Sequence, residues 1–195
     1  MALSTAQLLT LRAAIAAVPA LAALEENGDT DLVIADYFNA PTDPVVRVWN
    51  PAVPVREIMD SFNWGAFTPT DSVTESNVDT AALLRYMCRA QAIQIKQRNL
   101  QLLLQGRDTA DATLEKFRDG LRDALVAVPS GVSGAGVTVA GGSGSLALTA
   151  CTRVATRAEN MYAEAQIKTT GGVAAKIMTF VGFLSPSDVG QARAN

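Results

Sequence analysis

The chain has 195 residues, of which 49% are hydrophobic and 18% are charged, and its formal net charge is −3. This composition can bury a core, and the slightly acidic balance argues against nucleic-acid binding driven by overall charge. The sequence contains no histidine and only two cysteines. Because His-based triads, His-ligated metal sites and disulfide frameworks all need more than this, we expect no catalytic residues, no metal site and no cofactor.

The first 40 residues predict two helices. In the first, apolar residues recur at helical spacing behind a cap at Thr5, and Pro19 ends or kinks the helix because its ring removes a helical hydrogen bond. These apolar residues are Leu8, Leu11, Ile15 and Val18. After a stop signal at 27–28, Asp29 or Thr30 is expected to cap the second helix.

The segment 41–54 contains four prolines and cannot form a long helix. Its apolar run at 45–49 predicts a short edge strand or an extended arm lying on the core. A third helix of about two turns is expected next, because Val55, Ile58 and Phe62 recur at helical spacing.

Residues 63–78 are expected to form a loop, and the longest helix follows at 80–105, closed by Gly106. Its apolar side is predicted from residues at helical spacing, which are Leu83, Leu84, Met87, Cys88, Gln91 and Ile95. Since this side is predicted to face the core, Cys88 is interpreted as a small core residue and not as a nucleophile.

A further helix is predicted after a cap at Asp108, and it ends at a turn at 129–131. Residues 131–145 contain six glycines and three serines, which indicates a flexible loop or a glycine-rich hairpin. Ser145 is then expected to cap a last long helix that extends to Met161.

The C-terminal residues predict a β-hairpin and a short helix. Segments 166–169 and 176–183 flank a Thr-Gly-Gly turn, a pattern typical of a hairpin. Ser185 is predicted to cap the final helix through a capping box with Asp188, ahead of a free tail. We therefore expect that deleting 185–195 spares the fold.

Together these elements predict a mainly α fold, a small helical bundle with one long helix, a short β-hairpin and extended arms. Residues 1–130 are expected to form the helical core with the proline-rich arm at 41–54, and 131–145 the glycine- and serine-rich loop. The helix, hairpin and terminal helix of 146–195 complete the same domain. No segment predicts a membrane span, so we expect a chain made in the cytoplasm.

Charge is segregated along the chain. Residues 1–46 carry six acids and one base, whereas residues 80–107 carry five bases and no acid. By their spacing, Arg85, Arg89 and Lys96 share one face of the long helix. Two interpretations remain open: a solvated face balanced by the acidic segment of the same chain, or a surface for an acidic partner or a nucleic-acid backbone. Arginine outnumbers lysine twelve to four, which modestly favours contacts with another chain.

Four stretches are distinctive: ADYFNAP at 35–41, VWNPAVPVREI at 48–58, TRVATRAE at 152–159 and FVGFLSPSDV at 180–189. Together and in this order they resemble a family of small structural proteins of tailed bacteriophages. In size and helical content the chain is similar to the head-to-tail adaptor proteins of that family, also called connector or neck proteins.

The resemblance implies a structural virion protein and not an enzyme, one that forms a ring joining the portal of the phage head to the tail. The implied partners are further copies in a dodecameric ring, the portal protein and tail proteins, and the implied location is the head–tail junction of the virion. DNA in the channel is a further candidate partner, and no membrane is implied. The alternative is another neck or tail completion protein, or an assembly factor that is not retained in the particle.

The candidate interface residues form two groups. Three are basic residues of the long helix and four lie in the C-terminal segment: Arg85, Arg89 and Lys96, then Ile177, Phe180, Phe183 and Ser185. We expect the basic residues to meet the acidic segment 25–43 of the next copy rather than DNA. Because a two-stranded hairpin is marginal alone in water, the C-terminal group is expected to contact a neighbouring subunit or the portal, with packing on its own domain as the alternative.

Overall fold

The computed structural model of the chain describes residues 3–62, 80–125 and 143–194. Its elements follow in the order α1 (Thr5–Ala16), α2 (Pro19–Ala22), α3 (Gly28–Asn39), β1 (Arg47–Trp49), β2 (Val53–Pro54), α4 (Val55–Asp60), α5 (Thr80–Leu104), β3 (Thr109–Ala110), α6 (Glu115–Leu125), α7 (Ser143–Ala150), β4 (Thr152–Val154), α8 (Arg157–Tyr162), β5 (Ala163–Thr170), β6 (Val173–Met178) and α9 (Pro186–Ala194). The mainly helical prediction is confirmed, but the strands form more than the predicted hairpin.

Two compact units make up the chain. The terminal unit comprises Met1–Val48, Val154–Lys168 and Ala175–Asn195, and the central unit comprises Trp49–Arg153 and Thr169–Ala174. The predicted loop at 63–78 and residues 131–142 of the glycine- and serine-rich segment lie outside the described residues.

The core of the terminal unit is built from α1, α3, α8 and α9. As predicted, Leu8, Leu11 and Ile15 form the buried face of α1, and α2 starts at Pro19. The cap of α1 lies one residue before the predicted Thr5, because the Ser4 hydroxyl accepts a hydrogen bond from a backbone N–H in the first turn.

Helix α3 begins earlier than the sequence predicted. The Asn27 side chain accepts from the Thr30 N–H at 3.0 Å, and the Thr30 hydroxyl accepts from the Asn27 N–H at 3.3 Å. The prediction of Asp29 or Thr30 as the cap is therefore wrong, because Asn27 is a helix start and not a stop signal.

The final helix is docked and has no free tail within residues 186–194. Ser185 caps α9 as predicted, since its hydroxyl accepts from a first-turn N–H. Val189 and Ala192 are fully buried in the terminal core, and the Arg193 guanidinium donates to the Asp31 carboxylate at 2.9 Å. The expectation that deleting 185–195 spares the fold therefore does not agree with the structure, in which α9 contributes to the core.

A four-stranded mixed sheet has the order β4-β1-β6-β5. Strand β1 pairs in parallel with β6, with Val48 opposite Lys176. The backbone N–H of Ala155, just past β4, donates to the Val46 carbonyl on the other side of β1. The prediction of an edge strand at 45–49 is therefore wrong, because β1 has a hydrogen-bonded neighbour on both sides.

The hairpin is confirmed as β5 and β6, and its turn needs glycine. The predicted second strand at 176–183 is too long, because β6 ends at Met178 and 179–183 form no strand. Gly171 and Gly172 have φ values of 55° and 82°, the left-handed conformation of a tight hairpin turn. A Cβ atom on Gly171 would also lie 2.6 Å from a methyl carbon of Leu148. A side chain at position 171 therefore requires a local shift of its surroundings.

The central unit packs α4, α5, α6 and α7 together with a two-stranded sheet. Strand β2 pairs with β3, with Val53 opposite Ala110. Because β3 occupies the residues after Asp108, the predicted cap there is wrong and α6 begins at Glu115. The buried residues of α6 include Phe117, Leu121 and Leu125, which recur at helical spacing.

The predicted long helix from Ser145 to Met161 is wrong. The chain forms α7, then strand β4, then α8. A capping box at the start of α8 explains the restart: the Thr156 hydroxyl accepts from the Glu159 N–H, and the Glu159 carboxylate accepts from the Thr156 N–H, both at 3.1 Å. This Thr-x-x-Glu signal was visible in the sequence.

Candidate interaction surfaces

Helix α5 is apolar on two opposite faces. Its buried face consists of three residues at helical spacing, Ile93, Leu100 and Leu104. At 3.6 residues per turn, Leu84, Ile95 and Leu102 fall in a narrow stripe on the opposite side. These three side chains are between 54% and 64% exposed. A helix with one face in the core has therefore kept a second apolar face toward solvent.

The side predicted from the sequence to face the core is the exposed one. Among the predicted core residues, Leu84, Met87 and Ile95 are more than half exposed, and Cys88 is exposed as well. The interpretation of Cys88 as a core residue is wrong. Periodicity could not separate two apolar faces of one helix, and the buried face is the one that carries Ile93, Leu100 and Leu104.

Two clefts flank α5 within the central unit. The cleft between α4 and α5 has a volume of about 350 Å³ and is lined mainly by apolar side chains, including Met59, Phe62 and Leu100. The cleft between α5 and α6 includes Lys96. The Lys96 ammonium donates to the Asp123 backbone carbonyl at 2.6 Å, and burial lowers its pKa.

The predicted basic group is thus divided. Arg85 and Arg89 belong to α5, but their side chains lie outside the described part of the chain. Lys96 is held within its own unit, against α6. Arg98 was not among the predicted interface residues. Its side chain is exposed beside the apolar stripe, and along the helix it lies between Ile95 and Leu102. We call Leu84, Met87, Ile95, Arg98 and Leu102 the outer face of α5.

A second exposed face lies on α3 in the terminal unit. Asp29, Leu32, Val33 and Asp36 are all exposed, and their spacing places them on one side of the helix. We call these four residues the acidic face of α3. Within the described ranges, neither Asp29 nor Asp36 forms an ion pair, whereas Asp31 is occupied by Arg193. The acidic charge of this segment was predicted from the sequence, but the exposure of Leu32 and Val33 was not.

A third surface is the loop before α9, in which the Phe183 side chain is exposed to solvent. The Phe183 side chain is 75% exposed. On one side of it, the Gly182 N–H donates to the Glu159 carboxylate at 3.4 Å. On the other, the Leu184 N–H donates to the Asn39 side-chain oxygen at 2.8 Å, and Asn39 returns a bond to the Leu184 carbonyl. An exposed aromatic side chain is therefore presented by a backbone fixed at both ends.

The other predicted residues of the C-terminal segment serve their own unit. Phe180 packs against Tyr162 with tilted rings whose centroids are 5.2 Å apart, and Ile177 is half-buried in β6. Ser185 caps α9. The structure therefore leaves Phe183 as the exposed aromatic member of this group.

A buried guanidinium organises the interior of the central unit. Arg118 is 2% exposed and donates to the carbonyls of Ala112 and Thr113 at 2.8 and 2.6 Å. It also donates to the Thr170 hydroxyl and stacks on Trp49, 4.9 Å from the ring centroid. Burial lowers the pKa of Arg118, although nearby carboxylates act against this shift. These contacts make Arg118 a structural cation of the central unit.

The two thiols differ in accessibility, and this gives a direct check of the structure. Cys88 is exposed, whereas Cys151 is fully buried and burial raises its pKa to about 12. Because thiolates and not thiols react with aromatic disulfide reagents, we expect one fast-reacting cysteine in the native chain near pH 8 and two after denaturation. Cys88→Ser should abolish the fast reaction. Fast reaction that survives in that variant would contradict the burial of Cys151.

Within the described ranges, no group of three or more acidic or cysteine side chains is arranged to hold a metal ion. None of the helices in those ranges is long and apolar enough to cross a membrane. Comparisons of the chain with protein families, with curated proteins and with solved structures found no match.

Proposed function

We propose that the chain is a structural subunit of a tailed-phage virion, a head-to-tail adaptor that forms a ring between the portal and the tail and carries no catalytic activity. The four sequence stretches that resemble this family suggest the role. The structural observation that supports it most strongly is the outer face of α5, because it gives a long helix a second apolar side that the described part of its own unit leaves more than half exposed.

The physical argument concerns exposed apolar area. Removing apolar surface from water contributes about 25 cal/mol per Å², so a run of large apolar side chains left in solvent is costly unless another chain covers it. Large contiguous apolar patches on soluble chains commonly mark interaction sites. Leu84, Met87, Ile95 and Leu102 follow one another along α5, and Phe183 adds a separate aromatic contact point.

The proposed partners follow from this role. Further copies of the chain form the ring, a dodecamer in keeping with the resemblance, and the portal and tail proteins dock on its two ends. The virion at the head–tail junction is the proposed location. The outer face of α5 mixes leucine and isoleucine with a single described arginine, a composition that suits a protein surface better than a DNA backbone.

Quantification of the chain in purified particles tests this proposal. We expect a fixed copy number relative to the portal protein, after washing in high salt has removed loosely bound proteins. The control is a non-structural protein encoded by the same phage, which should be lost at the same step. Presence in lysates but absence from washed particles would overturn the proposal and favour the assembly factor.

A further inference from the structure

We propose that the outer face of α5 on one copy of the chain docks on the acidic face of α3 on the next copy. This inference rests on the proposed function in one respect only, that copies of the chain contact one another. It specifies the two surfaces and makes the contact heterologous, with a different face contributed by each partner.

The two faces have complementary patterns. On α5, Arg98 lies between the apolar side chains of Ile95 and Leu102. On α3 the order is reversed, since Asp29 and Asp36 lie on either side of an apolar pair. In each pattern the two outer residues are seven positions apart, which is about 10 Å along a helix axis. The apolar pair of α3 can therefore pack between Ile95 and Leu102 while Arg98 reaches a carboxylate.

The charged side chains of these two faces form no ion pair with other described residues. Arg98 forms no hydrogen bond or ion pair in the ranges that the structure covers, and the same holds for the side chains of Asp29 and Asp36. Helix α5 contains four bases and no acid, whereas α3 contains three acids and no base. Opposite potentials on two surfaces steer their association and reject the wrong pairing.

Charge also disfavours the simplest alternative, in which two copies of α5 pack on each other. Such an isologous pair would bring the Arg98 side chains of both copies together, with no acid in either α5. Like charges across an interface are unfavourable, so α5 needs a partner surface of opposite sign. A heterologous contact between unlike faces repeats from copy to copy and closes into a ring when the rotation allows it.

Cross-linking of matched cysteine variants tests the contact. In a Cys88→Ser background, one variant carries Leu102→Cys and another carries Val33→Cys, and a short bismaleimide joins thiols that lie close together. Cys151 is buried and adds no background. At low ionic strength we expect a dimer only when the two variants are mixed, and a ladder of oligomers when one chain carries both substitutions.

Charge reversal provides the second arm. Arg98→Glu should lower the yield of the mixed cross-link about fivefold, and the yield should recover in part when the other variant carries Asp29→Arg and Asp36→Arg. Leu102→Asp, tested by sedimentation of the otherwise unmodified chain, should weaken self-association about tenfold or more. The matched control is Leu9→Asp, since Leu9 is also a mid-helix leucine, 52% exposed, and lies on neither face.

Two results would overturn the contact. The first is a cross-link formed by the Leu102→Cys variant alone, which would show that α5 packs on α5. The second is the absence of the mixed cross-link both in the concentrated chain and in purified particles. Failure of the proposed function is distinguishable, because a mixed cross-link from a chain that is missing from particles would leave this contact standing.

Discussion

Placing a carboxylate at position 189 should strongly destabilise the terminal unit. Val189 is fully buried among the side chains of α1 and α3, and Arg193, one turn further along α9, is already paired with Asp31. Burying an unpaired charge and losing the packing of valine together cost about 3–5 kcal/mol. Since small domains have about 5–15 kcal/mol of stability, Val189→Asp should remove a large share of it.

The matched control is Ala194→Asp, which places the same charge on the same helix at an exposed position. It should change the free energy of unfolding by less than about 0.5 kcal/mol. Urea denaturation followed by circular dichroism compares the two variants. Equal stability of Val189→Asp and the parent chain would contradict the docking of α9. Deleting 185–195 should have an effect at least as large as Val189→Asp, because Ala192 and the Arg193–Asp31 ion pair are lost as well.

Replacing the buried arginine should have the second large effect, this time in the central unit. Arg118→Ala removes the donors that satisfy the carbonyls of Ala112 and Thr113 and leaves a cavity beside Trp49. Unsatisfied buried acceptors and a large cavity each cost about 1–3 kcal/mol, so we expect a loss of about 3–5 kcal/mol. Tryptophan fluorescence during urea unfolding provides the measurement.

Arg122→Ala is the control for Arg118→Ala. Arg122 lies one turn further along α6 and pairs with Asp119 and Asp123 at the surface, with 41% of its side chain exposed. Exposed ion pairs contribute at most about 1 kcal/mol, so this variant should remain close to the parent. If both arginine variants unfold at the same urea concentration, the proposed role of Arg118 inside the central unit is wrong.

The sequence predicted local structure well wherever a short signal determines it. The Ser185 cap, the break at Pro19 and the turn at Gly171-Gly172 each depend on neighbouring residues, and all three are confirmed. Caps were misplaced where two candidates competed, as at Asn27 and Asp29. Local signals therefore located most elements to within a residue or two.

Tertiary choices could not be predicted in the same way. Strand β1 became an inner strand because β4 and β6 pair with it from distant parts of the chain. The core side of α5 depended on which of its two apolar faces became buried in the central unit, and composition made both equally suitable. The buried Arg118 gave no sequence signal, because its partners Trp49 and Thr170 are far from it in the chain.

The same ambiguity of α5 carries the functional proposal. A helix whose faces are both apolar is easily assigned the wrong core side from sequence, and it is also what a subunit needs when one face packs in its own unit and the other packs on a neighbour. Leu84, Met87 and Ile95, which were predicted to face the core, are exposed and belong to the candidate interface.

A cryo-electron microscopy reconstruction of the neck of the purified particle tests the central claim most directly. We predict a ring of this chain between portal and tail, in which the outer face of α5 is covered by another protein chain along Ile95 and Leu102. A neck that lacks the chain, or a ring in which that face of α5 borders only solvent, would contradict the account.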